Sequence, residues 1–180
     1  MEQTANAILD RAIRVAKLDL PVFRAIARDP NATREAAVVV AVVAIATGIG
    51  ALFDSLGAVV LSIVAAFLGW FIFSAMTYFF GKNVFGTPTT QVNVESLLRT
   101  QGYALAPRVL SIVGFVPILG WAVAAVGWFW ALVTAVVAIR ETLAISTGRA
   151  VIVGVVALIA TWIVGIILAI VFNVDIDVLL

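Results

Sequence analysis

Apolar and polar positions alternate on two different scales along the chain, and the scales separate its parts. From residue 4 to residue 28 the alternation is short and helical. Asp10, Arg14, Lys17, Arg24 and Arg28 recur at spacings of three, four and seven on one side, with Ile8, Ala12 and Val15 opposite. Pro21 breaks or restarts this helix, because it lacks the N–H a helix interior needs. Two settings suit such a segment: the headgroup plane with its basic stripe toward anionic lipid, or the flank of a membrane body. After it the scale changes to long uncharged runs. Residues 37–53, 58–80, 119–139 and 150–172 carry no charged residue, and each reaches or approaches the roughly 20 residues that cross the hydrocarbon layer.

The boundaries carry their own signals. Asp29-Pro30 reads as an N-cap followed by proline at the first helical position, so a new helix starts there. Asp54-Ser55-Leu56-Gly57 reads as a tight turn out of the first span, and Ser146-Thr147-Gly148-Arg149 as a short turn into the last. Gly81, Gly86, Thr87, Pro88, Thr89 and Thr90 mark a loop. Beyond it Asn93 caps a short helix on which Glu95 and Arg99, four apart, pair. Two ridges of small residues invite close helix approach: Ala37, Ala41, Ala44, Gly48 and Ala51 in the first span, and Ala157, Thr161, Gly165 and Ala169 in the last. Tyr78 and Trp70 suit an interfacial belt, and the run at 119–139 carries Trp121, Trp128, Phe129 and Trp130.

Residues 102–117 are the ambiguous stretch. Ala106-Pro107 interrupts the pattern, and Arg108 follows directly. The stretch either crosses as a further span or dips in and returns. Charge placement decides between them at this level. If it crosses, the basic residues before Ala37, Lys82, Arg99, Arg140 and Arg149 fall on one side; if it returns, Arg140 and Arg149 go outside, against the positive-inside bias. The expected architecture is therefore all-α and polytopic, with five transmembrane helices and an amphipathic N-terminal helix. It divides into a cytoplasmic segment at 1–35, a transmembrane domain at 36–172 and an external tail at 173–180.

Composition agrees, with 64% of the 180 residues hydrophobic and 12% charged, where a soluble domain has about 25% charged residues. Lys plus Arg number 11 and Asp plus Glu 10, so no bulk basic field points to nucleic acid. The first 35 residues lack the charged region, apolar core and cleavage site of a secretory signal, so the first span is expected to stay in the mature protein. Cysteine and histidine are both absent, which removes thiolate nucleophiles, disulfides, the usual zinc ligands and imidazole shuttles. The carboxylates show no pairing in an apolar setting; Asp175 and Asp177 are close in sequence but read as a solvated end. Gly48-Ile49-Gly50 lies inside an apolar span without a following lysine, so it reads as close packing and not as a phosphate loop. No enzyme, cofactor or metal is expected.

Candidate chemistry then reduces to charges near the membrane. Glu95, Arg99, Arg108, Arg140 and Glu141 are expected to form a polar network or lipid-headgroup site across the cytoplasmic ends of the helices. Arg108 has two readings: snorkelling to the cytoplasmic headgroups, or a functional role in which it binds a lipid phosphate, pairs with Glu95 or Glu141, or gates a polar path. Arg140 and Glu141 are adjacent and point about 100° apart on a helix, so each is expected to find a different partner.

The chain also resembles a known family. Ala27-Arg28-Asp29-Pro30, Leu97-Leu98-Arg99-Thr100-Gln101-Gly102-Tyr103-Ala104 with Ala106-Pro107, Ala138-Ile139-Arg140-Glu141, and Gly69-Trp70 with Thr77-Tyr78 and Phe85-Gly86 are similar to the Ypt-interacting protein (Yip) family. The resemblance runs from about residue 23 to about residue 170. It implies a five-helix integral membrane fold with a cytoplasmic N-terminus. Eukaryotic relatives work in vesicle traffic with Rab-type GTPases and membrane-shaping proteins; this chain lacks their long Pro- and Gly-rich region, so Rab binding is not carried over. The small Val- and Ala-rich spans look prokaryotic, which implies an inner-membrane location. Membrane lipids, a homo-oligomer or other membrane proteins are the expected partners. Three roles are open: a structural scaffold, an accessory subunit of a larger complex, or a small channel or transporter, the last disfavoured by the few polar residues inside the spans.

Overall fold

The computed structural model describes residues 2–50, 56–86, 92–114, 116 and 119–172. Among them every regular element is helical: α1 (Glu2–Ala16), α2 (Leu20–Arg28), α3 (Ala32–Gly50), α4 (Leu56–Asn83), α5 (Val94–Ala104), a 3-10 helix (Ala106–Val113), α6 (Leu119–Leu143) and α7 (Thr147–Phe172). The tail at 173–180, most of the loop around Pro88, and the Asp54-Ser55 turn lie outside the described residues.

Helix breaks follow the local chemistry. α1 ends where Leu18 takes a positive φ of 60°, and Pro21 occupies the first turn of α2, so the restart expected at Pro21 is present. The expected N-cap at Asp29 is corrected: α3 starts two residues after Pro30, and Asp29 instead ends α2. Its carboxylate accepts from the Asn31 N–H at 3.0 Å, and α3 begins at Ala32. Asn93 caps α5, its side chain accepting from the Ser96 N–H at 2.8 Å.

Four helices are long and apolar enough to cross a membrane, over Ala32–Ile49, Ile63–Asn83, Leu119–Leu143 and Thr147–Val171. The expectation of five transmembrane helices is corrected at residues 102–117. That stretch is not one spanning helix: α5 stops at Ala104, and the chain continues as a 3-10 helix of eight residues. Pro107 is the cause, since it offers no N–H and its ring clashes with the carbonyl four residues back. Tighter i→i+3 bonds take over, with the Arg108 N–H on the Leu105 carbonyl at 2.9 Å and the Gly114 N–H on Ser111 at 2.9 Å. The broken segment still descends along α3. Arg99 bonds Thr33 near the start of α3 and Ser111 bonds Thr47 fourteen residues on, about 21 Å further along the helix axis.

The elements close into a ring. α3 packs on α4, α4 on α7, α7 on α6, and α6 on the 3-10 helix, which returns to α3. At one end of the ring α5 fills the centre, burying Leu97, Thr100, Gln101, Tyr103 and Ala104 against α3, α4 and α6. Gly102 permits this plug. A Cβ there would lie 2.7 Å from the Ala36 Cβ and 3.2 Å from Trp70 Nε1, while that indole donates to the Leu98 carbonyl at 2.9 Å. The close approach in α3 thus uses Ala36, one position from the expected ridge, of which Ala44 and Gly48 are buried and Ala37 and Ala41 only half so. Thr134 meets the other loose end: its hydroxyl donates at 2.7 Å to the Ala104 carbonyl, which the break leaves without a helical partner.

α1 and α2 cover the plugged end. Val15, Val22, Phe23 and Ile26 are buried in one cluster with Ala32, Ala36, Val39, Tyr103 and Ala138. Trp130 Nε1 reaches the Ala16 carbonyl at 2.7 Å. The N-terminal segment thus packs on the body of the bundle.

Candidate functional site

The described basic residues of α2, α5 and α6, with those at the start of α3 and α7 and the end of α4, gather at the plugged end. α2 and the starts of α3, α5 and α7 meet the ends of α4 and α6 there, through apolar clusters and through polar side-chain bonds. Glu35, in the first turn of α3, is the centre of one group. Its Oε2 accepts from Arg11 Nη1 at 2.6 Å and from the Tyr103 hydroxyl at 2.7 Å, and Arg11 Nη2 also donates to Asp29 Oδ2 at 2.7 Å. Four elements are joined by three side-chain bonds. The Arg11 guanidinium beside Asp29 holds its carboxylate below the usual range, helped by the Asn31 N–H.

A second group surrounds Arg99, which is buried. Its guanidinium donates to Thr33 Oγ1 at 2.8 Å, the Ala27 carbonyl at 3.1 Å and Glu95 Oε2 at 3.1 Å. The last is the pairing read from the spacing of four. Glu95 is two-thirds exposed, so it adds little to stability; the bonds to Thr33 and Ala27, which clamp α5 to the α2–α3 corner, carry more.

The third group lies at the end of α6. Glu141 accepts from Arg24 Nε at 2.6 Å and forms an ion pair with Arg140, whose Nε lies 3.0 Å from its Oε1. The expectation that Arg140 and Glu141 do not meet is corrected here. Their Cα–Cβ directions diverge, but both side chains are long enough to fold back over the helix end. Arg140 also reaches Thr147 Oγ1 at 3.5 Å. Between this group and α2 lies a groove of about 480 Å³, lined by Arg24, Arg28, Ser96, Arg140, Glu141 and Thr142 among others. Arg28 makes no ion pair among the described residues.

Arg108 does not belong with the other four residues of the expected network. Its backbone lies beside Gly127, where a Cβ would approach the Pro107 carbonyl to 2.8 Å and the Arg108 Cα to 3.6 Å. Gly127 is fourteen residues from Glu141, about 21 Å along α6. An arginine side chain spans less than two helical turns, so neither snorkelling to the basic end nor pairing with Glu95 or Glu141 is open to it.

The sequence reading missed Arg11, Glu35 and Tyr103 as a unit and Arg24 as the partner of Glu141. One signal was present. Arg11 borders the apolar side of α1, next to Ala12 and four before buried Val15, and a charge on a packed face calls for a partner. Its partners are 18 and 24 residues away, and no local pattern names them.

None of the three groups has the geometry of a hydrolytic or transfer site. Each is a set of arginine–carboxylate clamps holding helix ends, with one open basic groove. A family model described as the Yip1 domain matches residues 20–171. Among curated proteins and among solved structures, nothing matches the chain. The matched region takes in α2, the Arg99 corner, the Arg140-Glu141 end of α6 and nearly all of α7, and with four helices among the described residues long and apolar enough to cross a membrane, the chain is an integral membrane protein belonging to the Yip1-domain family.

Proposed function

We propose that the protein is a non-enzymatic membrane scaffold whose basic end faces the cytoplasm and holds anionic lipid headgroups in the groove between α2 and α6. The chain crosses the bilayer five times in this reading, the broken α5 segment supplying one crossing, so the N-terminus is cytoplasmic and the C-terminus external. Support for the side comes from Arg24, Arg28, Arg34, Lys82, Arg99, Arg140 and Arg149, which all belong to the same end of the bundle. An inner-membrane location of a prokaryotic cell suits the short connections and small apolar side chains.

The observation that carries the headgroup reading is the groove itself. Glu141 is already ion-paired with both Arg24 and Arg140, so its negative charge is committed, while exposed Arg28 in the groove lining adds a cation with no carboxylate of its own among the described residues. A phosphate there would receive charge-assisted hydrogen bonds from a planar donor at the depth of the headgroups. The test is native mass spectrometry of the full chain released from neutral detergent. Retained phosphatidylglycerol in preference to phosphatidylcholine, lost on Arg28→Ala, is the expected result; equal retention of both lipids would sink the proposal. The topology is tested separately by a reporter fused to the C-terminus, which should be accessible only from outside.

A further inference from the structure

Where α5 ends, the ring loses its plug. The 3-10 helix keeps to α3 and α6, and the space between it, α4 and α7 is a cavity of about 420 Å³. The volume falls in the range of about 300–1,000 Å³ that accommodates a small ligand. Its wall is mostly aliphatic and carries three tryptophans, Trp70, Trp128 and Trp162. Leu68, Trp128 and Trp162 keep between 42 and 49% of their surface accessible, so the cavity communicates with the apolar outside of the bundle.

Four polar side chains interrupt this wall, and three are committed. Thr47 donates to the Val43 carbonyl at 2.9 Å, Thr161 to the Ala157 carbonyl at 2.7 Å, and Gln101 to the Ala135 carbonyl at 3.4 Å. Arg108 is the fourth. Among the described residues its guanidinium makes no ion pair, and every carboxylate that does form one (Asp10, Asp19, Asp29, Glu35, Glu95 and Glu141) is paired with another arginine. Ionisable side chains at this depth normally pair or face a polar cavity. Here the face offered is a tryptophan-lined pocket.

We propose that this cavity binds a single-chain anionic amphipath of the fatty-acid class, its carboxylate on the Arg108 guanidinium and its chain along the wall of Trp70, Trp128 and Trp162. A carboxylate matches the planar fork of arginine in two parallel hydrogen bonds and neutralises a guanidinium that has no ion pair among the described residues. The depth separates a free acid from a bilayer phospholipid. Arg108 lies level with Gly127, about 12 Å along α6 from its start at Leu119 and further from its other end, whereas a phospholipid headgroup is held at the interface. The middle of the α7 small-residue stripe takes part in this site. Thr161 and Gly165 line the cavity, and nothing lies within 4 Å of a Cβ added at Gly165.

Three lining tryptophans provide the readout. The full-length protein in neutral detergent is titrated with dibromostearate, whose bromines quench indole fluorescence on contact, and in parallel with its methyl ester and with a brominated phosphatidylglycerol. The acid should quench saturably and the ester should not. Arg108→Gln should weaken binding of the acid at least about tenfold, as loss of a charge-assisted pair implies, with Arg108→Lys recovering part of it. Gly165→Leu, which adds a side chain to the cavity wall where a Cβ has nothing within 4 Å, should remove saturable quenching while leaving the melting temperature near that of the native chain. Equal affinity for acid and ester, or unchanged binding in both Arg108→Gln and Gly165→Leu, would overturn the proposal. Tighter saturable quenching by the brominated phosphatidylglycerol would overturn the single-chain assignment. Should Arg108→Gln fail to fold, the comparison of acid with ester on the native chain and the Gly165→Leu variant still decide it.

Discussion

Replacing Glu35 by alanine would test whether the polar end is a set of clamps. The change removes the acceptor shared by Arg11 and Tyr103, at 2.6 and 2.7 Å, and leaves a fully buried tyrosine without its hydroxyl partner. Two charge-assisted hydrogen bonds set a ceiling of about 3–6 kcal/mol. Arg11 keeps its bond to Asp29, and the Arg11 and Glu35 side chains are 26 and 14% exposed, so water and Asp29 recover part of the loss. A net cost of about 2–4 kcal/mol remains. For a chain of this size that is a fall in melting temperature of about 5–12 °C. Tyr103→Phe breaks only one of the two bonds and should cost about 1–2 kcal/mol, with a coupling of at least about 0.5 kcal/mol in the double variant. Tryptophan fluorescence on heating in detergent measures all four species. A Glu35→Ala protein that melts within about 1 °C of the native chain, or strict additivity with Tyr103→Phe, would refute the clamp.

Further outcomes follow from the same geometry. Thr134→Val keeps the side-chain shape but leaves the buried Ala104 carbonyl without its 2.7 Å donor, and should destabilise by about 1–3 kcal/mol in denaturant titration. Asp29 has a folded-state pKa below its unfolded value of about 3.9, so its contribution is complete above that value and fades as pH falls through the depressed one. Melting temperature should therefore drop below about pH 4 more steeply in the native chain than in Asp29→Asn, and parallel acid profiles would contradict this. Gly102→Val places a branched side chain where a Cβ already meets Ala36 at 2.7 Å, and should cost at least about 2 kcal/mol, partly recovered by Ala36→Gly. A Gly102→Val protein as stable as the native chain would show that α5 does not plug the ring.

Local features were legible in the sequence because their partners lie within a few residues. The Asn93 cap, the Glu95–Arg99 pair and the restart at Pro21 depend on backbone groups within one turn. The long uncharged runs named α3, α4, α6 and α7 as membrane helices, since length and hydropathy alone set that property. Residues 102–117 were harder. Pro107 and Arg108 marked the place, but periodicity cannot say that a helix continues as a 3-10 helix with Thr134 of another element satisfying its end. Arg140 and Glu141 show the reverse error, in which backbone angles were applied to side chains long enough to ignore them.

What the sequence by itself determined is the class of the protein: apolar helices of membrane length, a basic end and the Yip1-domain pattern, all properties of composition and short spacing. Tertiary structure decided which charges are clamps and which is left over. Arg11, Glu35 and Tyr103 meet across 24 and 68 residues, and Arg24 meets Glu141 across 117. Arg108, grouped with them by sequence, is carried away because the Pro107 break sends the chain down along α3 and α6. The physical reason is that charge pairing depends on distance in space, and in a ring of long helices that distance is set by packing between elements far apart in the chain.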